Sequence, residues 1–171
     1  MSDVEIRTLT PDHWHLYKSV RLQALKDSPD SYGSTFEQEA ALTDTQWQSR
    51  LDLKWRNIDA LPLVATKNGE AVGLAWGLVN AHAPSITHVY QMWVSPTARG
   101  EGIAKLLLRE ITSWAVRRRC THMRLAVTTS NDAAVHLYSA YGFTAVGQRE
   151  ELRTGSALMV QTMMLNLNRS A

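Results

Sequence analysis

The sequence predicts an α+β domain, one mixed and largely antiparallel sheet with flanking helices. Three observations carry this expectation. Short apolar runs of strand length recur between turn residues. Asn68-Gly69 sits between two such runs, a two-residue hairpin signal. The strand-like Val89-Tyr90-Gln91-Met92-Trp93-Val94 leads through a glycine-rich turn into an amphipathic helix. In order, the elements read β-α-α-β-β-β-α-β-α-β-β. The length of 171 residues suits one domain, 1–171, with a core of its own.

Val4 to Leu9 alternates as a first strand, with Val4 and Ile6 on one face. Thr10-Pro11-Asp12 starts a helix, Thr10 as cap and Pro11 in the first turn, and the helix runs to about Lys26. Ser28-Pro29-Asp30 breaks it. Residues 30–42 read as irregular and polar, with Tyr32 and Phe36 embedded. Thr43-Asp44-Thr45-Gln46 opens a second helix carrying Trp47, Leu51 and Trp55. Leu61–Thr66 and Ala71–Asn80 form the hairpin around Asn68-Gly69, and Ser85–Val94 is the next strand. A helix at 101–119, a strand at His122–Thr128 and a helix at 131–141 follow. Two strands near Thr144–Glu151 and Ala157–Leu165 close the chain, with Arg153-Thr154-Gly155-Ser156 as their turn.

Composition narrows the class. Apolar residues at 44% and charged residues at 20% are those of a water-soluble globular chain. No apolar run approaches the roughly 20 residues of a membrane span. Met1-Ser2-Asp3-Val4-Glu5 lacks the basic and apolar regions of a signal peptide, so a cytoplasmic location is the expectation. One cysteine, Cys120, excludes an internal disulfide framework and reads as a buried thiol. A net charge of +2 gives no case for nucleic acid, and Arg117-Arg118-Arg119 reads as cations complementing a helix C-terminus. The histidines show no metal-ligand spacing, so no metal is expected.

The turn Arg99-Gly100-Glu101-Gly102-Ile103-Ala104 carries the chemistry. A glycine-rich turn between strand and helix points backbone N–H groups at one spot, backed by the positive end of the helix dipole. Its glycines adopt φ values closed to other residues and let an anion approach the backbone. That is a site for a diphosphate. Further on comes Asn131-Asp132-Ala133-Ala134-Val135-His136-Leu137-Tyr138-Ser139-Ala140-Tyr141-Gly142-Phe143. Together, in this order and spacing, the two blocks resemble the GNAT superfamily of acyl-CoA-dependent N-acyltransferases. Arg99, Gly102 and Ala104 match its pyrophosphate loop. Asn131, Ala134, Leu137, Tyr138, Gly142 and Phe143 match its second block. The resemblance is sharpest over residues 86–143.

The resemblance implies that the strands at 86–94 and 122–128 are parallel neighbours that splay into a V admitting acetyl-CoA. It implies that the backbone across Arg99, Gly100, Glu101, Gly102, Ile103 and Ala104 holds the pyrophosphate, with Arg99 adding charge and the Glu101 side chain in solvent. Met92 and Val94 would pair with the pantetheine arm through their backbone. Asn131 would face that arm while also capping its helix. Homodimers occur among similar proteins, and the last strands offer such an interface.

Acetyl transfer to an amine needs a neutral amine, a stabilised thioester oxygen and a protonated or stabilised leaving thiolate. The resemblance implies that Tyr138 is the acid, and the residue type suits the task, because a phenol keeps its proton at pH 7. His88, six residues before Val94 on the cleft strand, is the expected base. On a period-2 count His88, Tyr90, Met92 and Val94 share a face, any bulge aside. Glu37 and Glu39 are rival carboxylates, and a mechanism without a single base is the third option. Phe36, Trp76 and Tyr90, with Tyr32, are aromatic candidates for the acceptor wall. The expected activity is direct acetyl transfer from acetyl-CoA to a primary amine of a small molecule, with no acyl-enzyme. The alternatives are a protein N-terminal or lysine acetyltransferase and a non-catalytic acetyl-CoA-binding regulator.

Overall fold

The computed structural model describes residues 3–168. Met1 and Ser2, the first two residues of the segment behind the signal-peptide reading, and the last three positions of the expected domain lie outside the described residues. The elements are β1 (Val4–Thr8), α1 (Trp14–Asp27), α2 (Phe36–Ala40), α3 (Asp44–Arg50), α4 (Leu53–Arg56), β2 (Asp59–Lys67), β3 (Glu70–Val79), β4 (Ile86–Val94), α5 (Ile103–Arg117), β5 (His122–Thr128), α6 (Asp132–Tyr141), β6 (Thr144–Ala145), β7 (Glu150–Glu151) and β8 (Met159–Asn166).

They build one α+β sheet in the order β1-β2-β3-β4-β5-β8-β6, with β7 also on β8. Its pairs are antiparallel except β4 and β5. The β2–β3 hairpin turns on Asn68 and Gly69, both at positive φ (51° and 83°), the geometry that matches strand twist. Helix α5 buries Ile103, Leu107, Leu108, Ile111, Trp114 and Ala115 along one stripe, and most of this stripe packs with Leu63, Ala75, Val89 and Met123. On the opposite face Tyr17, Val20, Ala24 and Leu25 of α1 pack with Trp47, Val64, Leu74, Trp76 and Trp93. Cys120 is buried, with the Thr87 hydroxyl donating to its Sγ at 3.2 Å.

Three local expectations are corrected. Residues 36–40 are helical, because Thr35 and Gln38 form a reciprocal capping box at the N-terminus of α2. The helix expected to open at Thr43 and carry Trp47, Leu51 and Trp55 ends at Arg50. The Asp52 carboxylate then caps α4 by accepting from the Trp55 N–H, and Trp55 is left 76% exposed. The strand expected over 144–151 splits into β6 and β7, with Gly147 at φ 73° between them.

Two irregularities position the site. The parallel β4–β5 pairing lasts for Ile86↔His122, Thr87↔Met123 and His88↔Arg124, and then the strands part. On its other edge β4 is bulged: Tyr90 pairs with Trp76 and Trp93 with Leu74, so Gln91 and Met92 together oppose Ala75. Gln91 takes φ 55°, and its Oε1 accepts the Tyr17 hydroxyl at 2.9 Å.

Candidate active site

A cavity of about 760 Å³ opens where β4 and β5 part. Residues of both strands, α1 and α6 line it, among them His88, Tyr90, Asn131 and Tyr138. The bulge corrects the period-2 count. Before it, His88 and Tyr90 face the cavity, their rings stacked at 5.9 Å between centroids. After it, Met92 and Val94 pack toward the α5 side while Trp93 joins the α1 side. The extra residue reverses the alternation, so side chains expected on one face stand on two.

Tyr138 is buried at the cavity wall, edge-on to Phe143 at 5.9 Å. Burial alone pushes its hydroxyl well above the ordinary phenol range, so it keeps its proton. Asn131 caps α6, its Oδ1 accepting from the Ala134 N–H at 3.2 Å, and also lines the cavity. His88 is half-buried. Burial first, and the nearby Arg124 charge second, hold its pKa below that of a free histidine, which favours the neutral, proton-accepting ring.

The glycine turn follows β4 after Ser95 and one 3-10 turn, Pro96–Ala98. Gly100 and Gly102 sit at φ 79° and 81°, and the space where a Cβ would stand is open at both. Gly102 starts α5, whose first N–H groups have no partner within the helix. A donor cradle with open space in front suits a diphosphate. Arg99 points elsewhere: its Nε donates to the Val94 carbonyl at 2.9 Å and its Nη2 to Asp27 Oδ2 at 2.6 Å. The Glu101 side chain is exposed, as expected, and there accepts both contacts of Lys67 Nζ, at 2.7 and 2.9 Å. Ile103 is core and Ala104 half-buried.

The expected acceptor residues divide. Trp76 and Tyr90 line the cavity. Phe36 and Glu37 are not brought to it; they border a shallow groove with Lys26, Thr35 and Arg153. Glu39 does line the cavity but is buried and shared by two arginines: Oε1 accepts from Arg21 Nε (3.1 Å) and Arg50 Nη1 (2.6 Å), and Oε2 from Arg21 Nη2 (2.8 Å). Burial pushes its pKa up, yet the hydrogen bonds and charges of Arg21 and then Arg50 outweigh that and hold it below the usual carboxylate range. A carboxylate so occupied does not serve as a free base.

Sequence reasoning missed Tyr17, Arg21, Arg50, Gln91 and Arg124 as cavity residues. The spacing Tyr17–Arg21–Leu25 held a signal, since it sets an arginine within the buried stripe of α1. Among the described residues no group of His, Cys, Asp and Glu side chains is placed to hold a metal ion, and no helix is long and apolar enough to cross a membrane.

The family model of the acetyltransferase (GNAT) family matches residues 22–143. An acetyltransferase of Pectobacterium atrosepticum is 34% identical over 84 residues, and that match spans 49% of this chain but 57% of the relative's length. The fold is similar to that of a GNAT-family acetyltransferase from Streptococcus pneumoniae, with a TM-score of 0.80 and 22% identity over 96% of this chain and 99% of that one. It is also similar to yncA of Salmonella typhimurium, solved with its cofactor acetyl-CoA, at TM-score 0.78 and 18% identity over 99% and 96% of the two chains. The block around Tyr138 lines the cavity at the parted strands, the block around Arg99 lies between β4 and α5, and the family model covers both: this chain belongs to the acetyltransferase (GNAT) family.

Proposed function

We propose that the protein is an acetyl-CoA-dependent N-acetyltransferase that passes the acetyl group directly to the primary amine of a small molecule. The observation that supports this reading is the meeting of His88, Asn131 and Tyr138 in one cavity at the β4–β5 split, with the glycine turn just beyond β4. A volume of about 760 Å³ is in the range of small-molecule sites.

Acetyl-CoA supplies an activated acetyl thioester. The backbone from Gly100 to Ala104 holds its diphosphate, and the parted edges of β4 and β5 take its arm. His88, neutral at physiological pH, accepts the proton the amine loses as its nitrogen bonds to the acetyl carbonyl carbon. Tyr138 donates a hydrogen bond, and then its proton, to sulfur as the carbon–sulfur bond breaks. Burial of Tyr138 disfavours the phenolate and keeps that proton in place until the sulfur charge develops.

The test is amine-dependent thiol release from acetyl-CoA across amino acids, polyamines, aminoglycosides and short peptides. Release with small amines, lost in Tyr138→Phe, is the expected result. Acetylation of peptides alone would make the acceptor a polypeptide. Bound acetyl-CoA by calorimetry with no release from any amine would make the protein a non-catalytic binder.

A further inference from the structure

The charge on the cavity wall narrows the acceptor. Four arginines line it, Arg21, Arg50, Arg56 and Arg124, and Glu39 is the one carboxylate among its described lining residues. Glu39 is saturated by Arg21 and Arg50, so that triad keeps a net positive charge. Arg21 is 4% exposed, and its Nη1 is buried with no hydrogen-bond partner among the described residues. Arg56 donates to the Arg50 carbonyl at 2.8 Å, and neither Arg56 nor Arg124 meets a carboxylate among the described residues. Arg124 stands in register with His88, and Tyr90, 49% exposed, is stacked on the His88 ring.

Such a wall repels a polycation and rewards an anion. Guanidinium groups bind carboxylates through paired, charge-assisted hydrogen bonds. The same positive field disfavours an ammonium group, so an acceptor held here reaches its neutral, nucleophilic form more easily. Trp76 and Tyr90 add aromatic surface beside the arginines.

Resting on the acetyltransferase reading above, we infer that the acceptor is a small primary amine that also bears a carboxylate, of the amino-acid type, and that Arg56 and Arg124 hold that carboxylate. The atoms balance as in the general reaction: the amine nitrogen gains the acetyl carbon and loses a proton, and sulfur leaves with one. The acceptor carboxylate is unchanged.

The experiment compares kcat/KM for phenylalanine with phenylalaninamide and leucine with leucinamide, with spermidine as a polycation, by thiol release at saturating acetyl-CoA. The carboxylates are expected to exceed their amides by about 10- to 100-fold, the usual cost of leaving a charged partner unmet. Spermidine is expected to be the poorest. Arg56→Gln and Arg124→Gln, singly and together, are expected to collapse the carboxylate-to-amide ratio toward one, while the Arg21–Glu39–Arg50 triad stays intact. Acetylation of the amides or spermidine at equal or better efficiency overturns the carboxylate assignment and leaves acetyl transfer standing. A ratio unmoved by both substitutions overturns the role of these arginines. Thiol release from none of the acceptors, with acetyl-CoA bound by calorimetry, overturns the enzymatic reading and this inference with it.

Discussion

Arg99 Nη2 lies 2.6 Å from Asp27 Oδ2, so the residue that opens the glycine turn is tied to the last residue of α1. The same carboxylate oxygen accepts from Trp93 Nε1 at 3.0 Å and from the Ser28 hydroxyl at 2.7 Å. Arg99 is half exposed, so its ion pair with Asp27 is screened and contributes little. Trp93 is buried, and its indole N–H loses its acceptor if the carboxylate is removed. Asp27→Ala is therefore expected to destabilise the fold by about 1–3 kcal/mol, and Asp27→Asn, which keeps an acceptor, by less. Urea unfolding of both variants checks the order; equal losses would show that charge rather than the Trp93 hydrogen bond dominates.

Glu39 gives the larger stability effect. Its side chain is 4% exposed and that of Arg21 is 5%. Glu39→Gln leaves a guanidinium buried without its counter-charge, and about 3–5 kcal/mol of lost stability is expected. The folded-state pKa of Glu39 is depressed, so its contribution is fully present above the unfolded carboxylate value and disappears as pH falls through the folded one. Thermal melts from pH 7 to pH 3 are expected to fall less steeply for Glu39→Gln than for the parent. Parallel curves would show that the triad does not carry the acid sensitivity.

What the sequence revealed, and what it hid, follows from how local each signal is. The β2–β3 hairpin was legible because Asn68-Gly69 encodes its own turn, and the glycine turn before α5 because Gly100 and Gly102 occupy positions of positive φ. The β4 bulge was not, because Gln91 holds φ 55° with no glycine to announce it, and the faces of Met92 and Val94 followed from it. The fate of Glu39 depends on Arg21 and Arg50 from other helices, a pairing that no spacing along the chain encodes. Phe36 and Glu37 stand at the start of α2, away from the cavity that Glu39 of the same helix reaches, although the capping pair Thr35 and Gln38 stood in plain sequence.

At Gly102 the backbone is at φ 81° and nothing stands within 4 Å of an added Cβ. Alanine there meets no clash, so its cost is the left-handed backbone alone, about 1–2 kcal/mol. The turn then relaxes away from its donor geometry. Gly102→Ala is expected to weaken acetyl-CoA binding about tenfold or more by calorimetry with a small change in Tm. Unchanged affinity would remove this turn from the diphosphate site.

His88 is held below the ordinary histidine pKa by burial and, second, by Arg124. A lowered pKa keeps the ring neutral, and able to act as a base, down to lower pH. Arg124→Gln removes only the second cause, so the His88 ring titration followed by NMR is expected to move toward higher pH while staying below that of a free histidine. His88→Gln is expected to lower kcat about 10²–10⁴-fold if the ring takes the amine proton. A variant with full kcat would leave deprotonation to water.

Tyr138→Phe separates chemistry from packing. The ring fills its place against Phe143, and among the described residues no side chain hydrogen-bonds the hydroxyl, so deleting the oxygen is expected to strand no partner among them. Stability and acetyl-CoA affinity are expected to stay close to the parent. Turnover is expected to fall about 10²–10⁴-fold, the usual contribution of a positioned proton donor. The loss should be smaller with an acyl donor whose thiol is more acidic, because a better leaving group needs less help from the phenol. Equal losses with both donors would mean that Tyr138 positions the thioester rather than protonating sulfur, and a parallel loss of acetyl-CoA binding would return it to the core.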